Sequence, residues 1–146
     1  MTLLLFLALL GPADALADPP SPTASVASEA GAIRRVIDDQ LAAFQRDDAQ
    51  AAWKHVAPSL RSKFGDADTF LRMVRVGYRP VYRPQSVHFD DELVPLDTGE
   101  LGQWLDVVGP DGKAFRALYL LEKQADGSWR TTGCLLFEPK PAEPAV

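Results

Sequence analysis

The sequence has a single cysteine, Cys134, and only two histidines, His55 and His88. One thiol closes no internal disulfide. The histidines stand far apart, and neither begins an H-x-H or H-E-x-x-H pattern, so no metal site is expected. There is no G-x-S-x-G elbow, no phosphate-binding glycine loop and no dinucleotide glycine pattern, which argues against nucleophilic catalysis and nucleotide binding. No cofactor is therefore expected. Basic residues are also scarce, 15 Lys and Arg against 20 Asp and Glu, for a net charge of −5. Nucleic acid and anionic membrane both demand clustered cations, so neither is an expected partner. No apolar run approaches the roughly 20 residues that cross a bilayer.

The most apolar run is Leu3-Leu4-Leu5-Phe6-Leu7-Ala8-Leu9-Leu10, with Ala15-Leu16-Ala17 behind it. An apolar core followed by a small-x-small site is the pattern of a secretory signal peptide, although no Lys or Arg precedes the run. Residues 1–17 are read as that signal, with cleavage after Ala17, export to the periplasm or the medium, and no stable membrane anchor left behind. Residues 18–28, DPPSPTASVAS, read as a disordered linker, and 138–146, EPKPAEPAV, as a Pro-rich disordered tail. A single domain over 29–137 remains.

That domain is read as α+β. Ile33, Val36, Ile37, Leu41 and Phe44 recur at helical spacing. Asp47, with Gln50 three residues on, is expected to cap a second helix that carries Ala52, Trp53 and Val56 and ends at Pro58. Leu60 to Phe64 makes a short third turn stopped by Gly65. Asp66 caps a fourth helix with Phe70, Leu71 and Val74 inward, and Gly77 is expected to end it in the left-handed conformation. From Val81 the period changes to strands. Turns at Asp97-Thr98-Gly99, Gly109-Pro110-Asp111-Gly112 and Asp126-Gly127 separate Leu101–Val108, Ala114–Lys123 and Ser128–Phe137, an antiparallel meander. Helices then pack on one face of a curved sheet. The strands are apolar on both faces: Phe115, Ala117, Tyr119 and Leu121 share one side, and Leu118 and Leu120 the other. A covered outer face is expected, by a homodimer or a folded-back terminus.

Candidate functional residues are few. Tyr78-Arg79-Pro80-Val81-Tyr82-Arg83-Pro84 repeats one tripeptide. Its prolines suit a helix-to-strand connection and push Arg79 and Arg83 toward extended geometry. In an extended chain Tyr78 and Tyr82 align, as do Arg79 and Arg83, and phenol with guanidinium suits a carboxylate. Tyr78, Arg79, Tyr82, Arg83, His88 and Tyr119 are the expected contacts of a small apolar or weakly anionic ligand. Asp106, within an apolar strand, is a candidate base if it points inward, and His88 another. Cys134, in Gly133-Cys134-Leu135-Leu136-Phe137, reads as a small buried apolar residue. Three roles remain open: a non-enzymatic binding domain, an isomerase or cyclase using Asp106 or His88, and a structural dimer or subunit.

The series S-L-R-S-K-F-G, F-L-R-M-V, Gly77-Tyr78, Pro80-Val81-Tyr82, A-L-Y-L-L and D-G-S-W-R-T-T-G-C resembles a small bacterial family catalogued as a domain of unknown function, over Ile33 to Phe137. That family looks like a member of the nuclear-transport-factor-two-like superfamily, beside the SnoaL-like cyclases and ketosteroid isomerases. The resemblance implies a cone of curved antiparallel sheet around helices, a cystatin-like α+β roll, with a pocket at the open end. It carries over no catalytic residue: the first helix lacks the tyrosine that the ketosteroid isomerases use, and the superfold hosts many functions.

Overall fold

The computed structural model describes residues 22–139. The expected signal peptide, residues 18–21 of the linker and the tail from residue 140 lie outside them. Among the described residues, five helices precede a four-stranded antiparallel sheet of order β1-β2-β3-β4, which does not close on itself.

Helix α1 (Pro22–Gln45) starts inside the stretch read as linker. Ile33, Ile37, Gln40, Leu41 and Phe44 share its buried face. Its end differs from the expectation. Asp47 is not an N-cap: its φ is +54°, its N–H bonds the Phe44 carbonyl at 3.1 Å, and the Asp48 N–H bonds the Ala43 carbonyl at 2.9 Å. This paired closure puts Asp47 at the left-handed position that ends a helix, where Asp is one of the few non-glycine residues tolerated. Asp48 is the N-cap of α2 (Ala49–Trp53), accepting from the Ala51 N–H at 3.0 Å. Two adjacent aspartates split the stop and the start between them, and the sequence pattern alone does not say which does which.

Pro58 opens α3 (Pro58–Phe64), and Gly65, at φ +82°, ends it. Arg61 reaches back to the Val56 and Trp53 carbonyls at 3.0 and 2.8 Å and lies over the Trp53 ring, so it closes the open end of α2. Asp66 caps α4 (Ala67–Gly77) as expected, accepting from the Thr69 N–H at 2.8 Å. Gly77 is the last residue of α4 and is not left-handed. The chain does not become extended at Val81 either. Residues Arg79–Tyr82 form one more turn, α5, with the Tyr82 N–H on the Tyr78 carbonyl at 2.9 Å. Pro80 sits in the first turn of α5, where a missing N–H costs nothing. Pro80 therefore starts a helical turn here, and Pro84 lies in the connection to the first strand.

The strands are β1 (Ser86–Pro95), β2 (Leu101–Val108), β3 (Ala114–Lys123) and β4 (Trp129–Phe137). Gln103, Leu105 and Val107 of β2 and Ala117, Tyr119 and Leu121 of β3 are buried against the helices. In β4 the pairing shifts between Thr131, opposite Leu121, and Gly133, opposite Leu120. Thr132 is the extra residue of a bulge. The inward phase thus passes from Trp129 and Thr131 to Cys134 and Leu136, opposite Tyr119 and Ala117. The α2–α3 connection is pinned to this strand: the Thr131 N–H bonds the His55 carbonyl at 2.7 Å, and the Ala57 N–H bonds the Thr131 carbonyl at 2.9 Å.

The outer sheet face carries Trp104, Leu118, Leu120, Leu135 and Phe137, and no described element covers it. Leu135 and Phe137 keep 47% and 45% of their surface accessible, and the Trp104 and Phe137 rings lie 5.7 Å apart.

Candidate functional site: an apolar cavity between helices and sheet

Phe70 of α4 gathers the rings of Phe44, Trp53 and Phe64 at centroid distances of 6.0, 5.7 and 5.6 Å. Beside this cluster the packing leaves a cavity of about 120 Å³. Helix α1 supplies Gln40 and Phe44, α3 supplies Leu60 and Phe64, and α4 supplies Phe70, Met73 and Val74. Tyr78 and Val81 come from the α5 turn, and Tyr119, Thr131 and Cys134 from the sheet. Gln40, Phe44, Tyr119 and Thr131 are buried, whereas Leu60, Phe64, Met73, Tyr78 and Cys134 are half-buried and form the side nearer solvent. Well-packed interiors hold few voids larger than a water molecule, so an apolar space of this size is a departure from ordinary core packing.

The wall carries no ionised side chain, and most of its polar atoms are committed. The Gln40 amide nitrogen donates to the Ala52 carbonyl at 3.1 Å and to Thr131 Oγ1 at 3.3 Å, and the Thr131 hydroxyl donates to the His55 carbonyl at 3.0 Å. The hydroxyls of Tyr78 and Tyr119 have no hydrogen-bond partner among the described residues. No fully buried polar side-chain atom is left unsatisfied among those residues. The small accessible area of Tyr119, 2%, therefore includes its hydroxyl. Burial pushes the Tyr119 phenol well above its ordinary value, with neighbouring Cys134 and Tyr78 adding to the effect. Burial likewise raises Tyr78, and the Cys134 thiol is pushed up to about 12. All three groups keep their protons at neutral pH.

The remaining expected contacts lie elsewhere. Tyr82 and Arg83 turn away from the cavity and clasp Asp47. The Tyr82 hydroxyl donates to Asp47 Oδ1, and Arg83 Nη2 donates to Asp47 Oδ2 at 3.0 Å. Arg75 Nη2 stands 3.4 Å from Oδ1, and its Nε donates to the Tyr82 hydroxyl at 3.2 Å. Arg83 also donates to the Phe44 carbonyl and stacks over the Tyr82 ring at 4.0 Å. This cluster holds the Asp47 carboxyl below its ordinary value, the Tyr82 hydrogen bond first among the causes. Of the two arginines that the sequence offers to an anion, Arg83 is thus occupied by an internal one. Arg79 is exposed and borders an open groove of about 480 Å³ with Pro110, Lys113 and Phe115. The extended-chain alignment of Tyr78 with Tyr82 and of Arg79 with Arg83 does not occur, because the segment is a helical turn.

Asp106 points outward, not inward. It pairs across the sheet with His88, which is also exposed, and its Oδ1 accepts from Arg116 Nη1 at 2.9 Å. Arg116 also grips Asp90 through two bonds of 3.0 and 3.1 Å and lies over Trp104. Both candidate bases are on the face opposite the cavity. Among the described residues no three His, Cys, Asp or Glu side chains gather as metal ligands would.

Two of the six expected contacts, Tyr78 and Tyr119, share the cavity. Sequence reasoning missed Gln40, Met73 and Cys134 as its wall. One signal was readable: Gln40 is a polar residue within the apolar stripe Ile33, Ile37, Leu41, Phe44, and a buried amide there needs partners from neighbouring elements, here Ala52 and Thr131.

Residues 26–144 match the family described as "Domain of unknown function (DUF4864)". The chain belongs to this family. Neither a curated protein nor a solved structure matches it. For this member of the family, then, function has to be argued from the cavity itself.

Proposed function

We propose that this DUF4864 domain is a non-enzymatic binding module that takes a small apolar ligand into the cavity between Phe70, Met73, Tyr78 and Tyr119. The cavity is the observation that carries the reading. An engineered apolar cavity of about 150 Å³ binds benzene, so about 120 Å³ with a half-buried mouth suits one ring or the end of an alkyl chain. The apolar half of the expected ligand chemistry is the half supported, because the guanidinium of Arg83 is spent on Asp47. An isomerase using Asp106 or His88 lacks support, since neither residue lines the cavity. In this reading the sheet curls around the helices as the partial cone of a nuclear-transport-factor-two-like domain, and residues 1–17 direct the chain to the periplasm or the medium. Native mass spectrometry of the full chain, with and without added toluene, tests it. Bound mass, or a rise in melting temperature with toluene, is expected. A bare protein that ignores toluene overturns it.

The uncovered Trp104, Leu118, Leu135 and Phe137 face supports a second reading, a dimer packed sheet on sheet. Sedimentation decides it: a dimer that Phe137→Lys splits supports it, and a monomer at micromolar concentration refutes it.

A further inference from the structure

Resting on the cavity reading above, we infer that the ligand is an uncharged, ring-sized compound with a carbonyl-type hydrogen-bond acceptor, received by the Tyr119 hydroxyl with the Tyr78 hydroxyl beside it. Three observations lead there. First, the freely placed polar hydrogens of the wall are those of Tyr78, Tyr119 and Cys134, because the Gln40 and Thr131 donors are already anchored. Tyr119 and Cys134 are direct cross-strand partners, which puts the phenol and the thiol side by side. Second, Tyr119 is 2% exposed, that remaining area includes its hydroxyl, and the hydroxyl has no partner among the described residues, so a donor on the cavity wall is free for a ligand. A ligand that covers this hydroxyl without accepting from it would leave a polar group buried and unpaired, and one that carries an acceptor avoids that cost. Third, no Lys, Arg or His lines the cavity, and the phenols and the thiol hold their protons. A carboxylate would enter without a counter-charge, and a cation without a carboxylate. Reversible binding follows too, since a thiol pushed up to about 12 offers almost no thiolate to attack a carbonyl at neutral pH.

The test compares acetophenone with isopropylbenzene, in which a methyl group replaces the carbonyl oxygen, and with benzoate, by amide chemical-shift titration of the full chain. Acetophenone should bind about tenfold more tightly than isopropylbenzene, the effect of one hydrogen bond to a buried donor. Tyr119→Phe should bring the two within about twofold of each other while isopropylbenzene binding persists. Benzoate should give no saturable shifts. If isopropylbenzene binds and acetophenone binds no better, the acceptor inference is overturned and the cavity reading stands. If benzoate binds as well as acetophenone, the requirement for an uncharged ligand is overturned. If none of the three binds, the cavity reading falls with the inference. Should Tyr119→Phe fail to fold, the wild-type comparison decides the matter, with Tyr78→Phe as the second variant.

Discussion

Replacing Arg83 by alanine separates a structural clasp from an anion-binding surface. Arg83 donates to the Phe44 carbonyl at the end of α1, pairs with Asp47 at 3.0 Å and stacks on Tyr82 at 4.0 Å. Its side chain keeps 36% of its accessibility, so each contact is discounted for solvent. The bond to the carbonyl contributes about 1 kcal/mol, and the ring stacking and the half-exposed ion pair about 0.5 kcal/mol each. Arg83→Ala should therefore destabilise the domain by about 2 kcal/mol, a fall in melting temperature of roughly 8 °C at this chain length. Arg83→Lys keeps the charge but not the forked donor or the stacking plane, and should lose about half as much. Arg79→Ala is the internal control. Arg79 occupies the same place in the repeated tripeptide but is exposed, so its removal should change stability by less than about 0.5 kcal/mol. Urea denaturation monitored by tryptophan fluorescence reads all three variants. Equal effects of Arg79→Ala and Arg83→Ala, or an Arg83→Ala protein as stable as wild type, would refute the clasp.

Two further predictions concern titration. The folded carboxyl of Asp47 lies below its ordinary 3.8, so its stabilising contribution is present above that value and is lost as pH falls through the depressed one. Asp47→Asn should flatten the acid limb of the stability profile below pH 3.8, and an unchanged limb would show that the carboxylate is not held. For Cys134 the sign is opposite: its raised value means stability is intact below 9.0 and erodes as pH climbs toward about 12. At pH 8 iodoacetamide should label Cys134 only when urea is added, and rapid labelling of the native protein would show that its thiolate is not suppressed.

The helical stripes, the three meander strands and the cap at Asp66 were legible because each rests on local chemistry: apolar period, turn residues and a side-chain acceptor. Two boundaries were not, for one reason. Asp47 and Asp48 are interchangeable as caps by residue type, and what assigns them is a contact with Arg83, 36 residues on in the chain. Pro80 is likewise compatible with either a connection or a first helical turn, and packing of Val81 into the core selects the turn, while Pro84 stays in the connection. The two-sided apolar sheet was readable from alternation. The bulge at Thr132 was not: Gly133 is the residue type that marks such a place within a strand, but which residue is the extra one is set by pairing with β3. The cavity could not be read at all from the sequence. A void is the difference between what six elements supply and what their spacing requires, and no single residue records that difference.

The repeated tripeptide now divides cleanly. Were residues 78–82 one regular helix, Tyr78 and Tyr82, four apart, would share a face. They do not, because Tyr78 precedes the turn with φ −133° and ψ 42°, while Tyr82 closes it. The first tyrosine is released into the cavity and the second is held against Asp47. Val81 between them is 2% exposed and lines the same cavity, so the turn is fastened on one side by the clasp and on the other by the core. The Asp47 clasp therefore fixes the end of α1, whose Phe44 lines the cavity, and the turn that presents Tyr78 to it. The clasp makes no contact with the cavity space, yet the positions of two of its walls depend on it. Arg83, which first suggests an anion site in this sequence, serves the ligand site indirectly, by holding its frame.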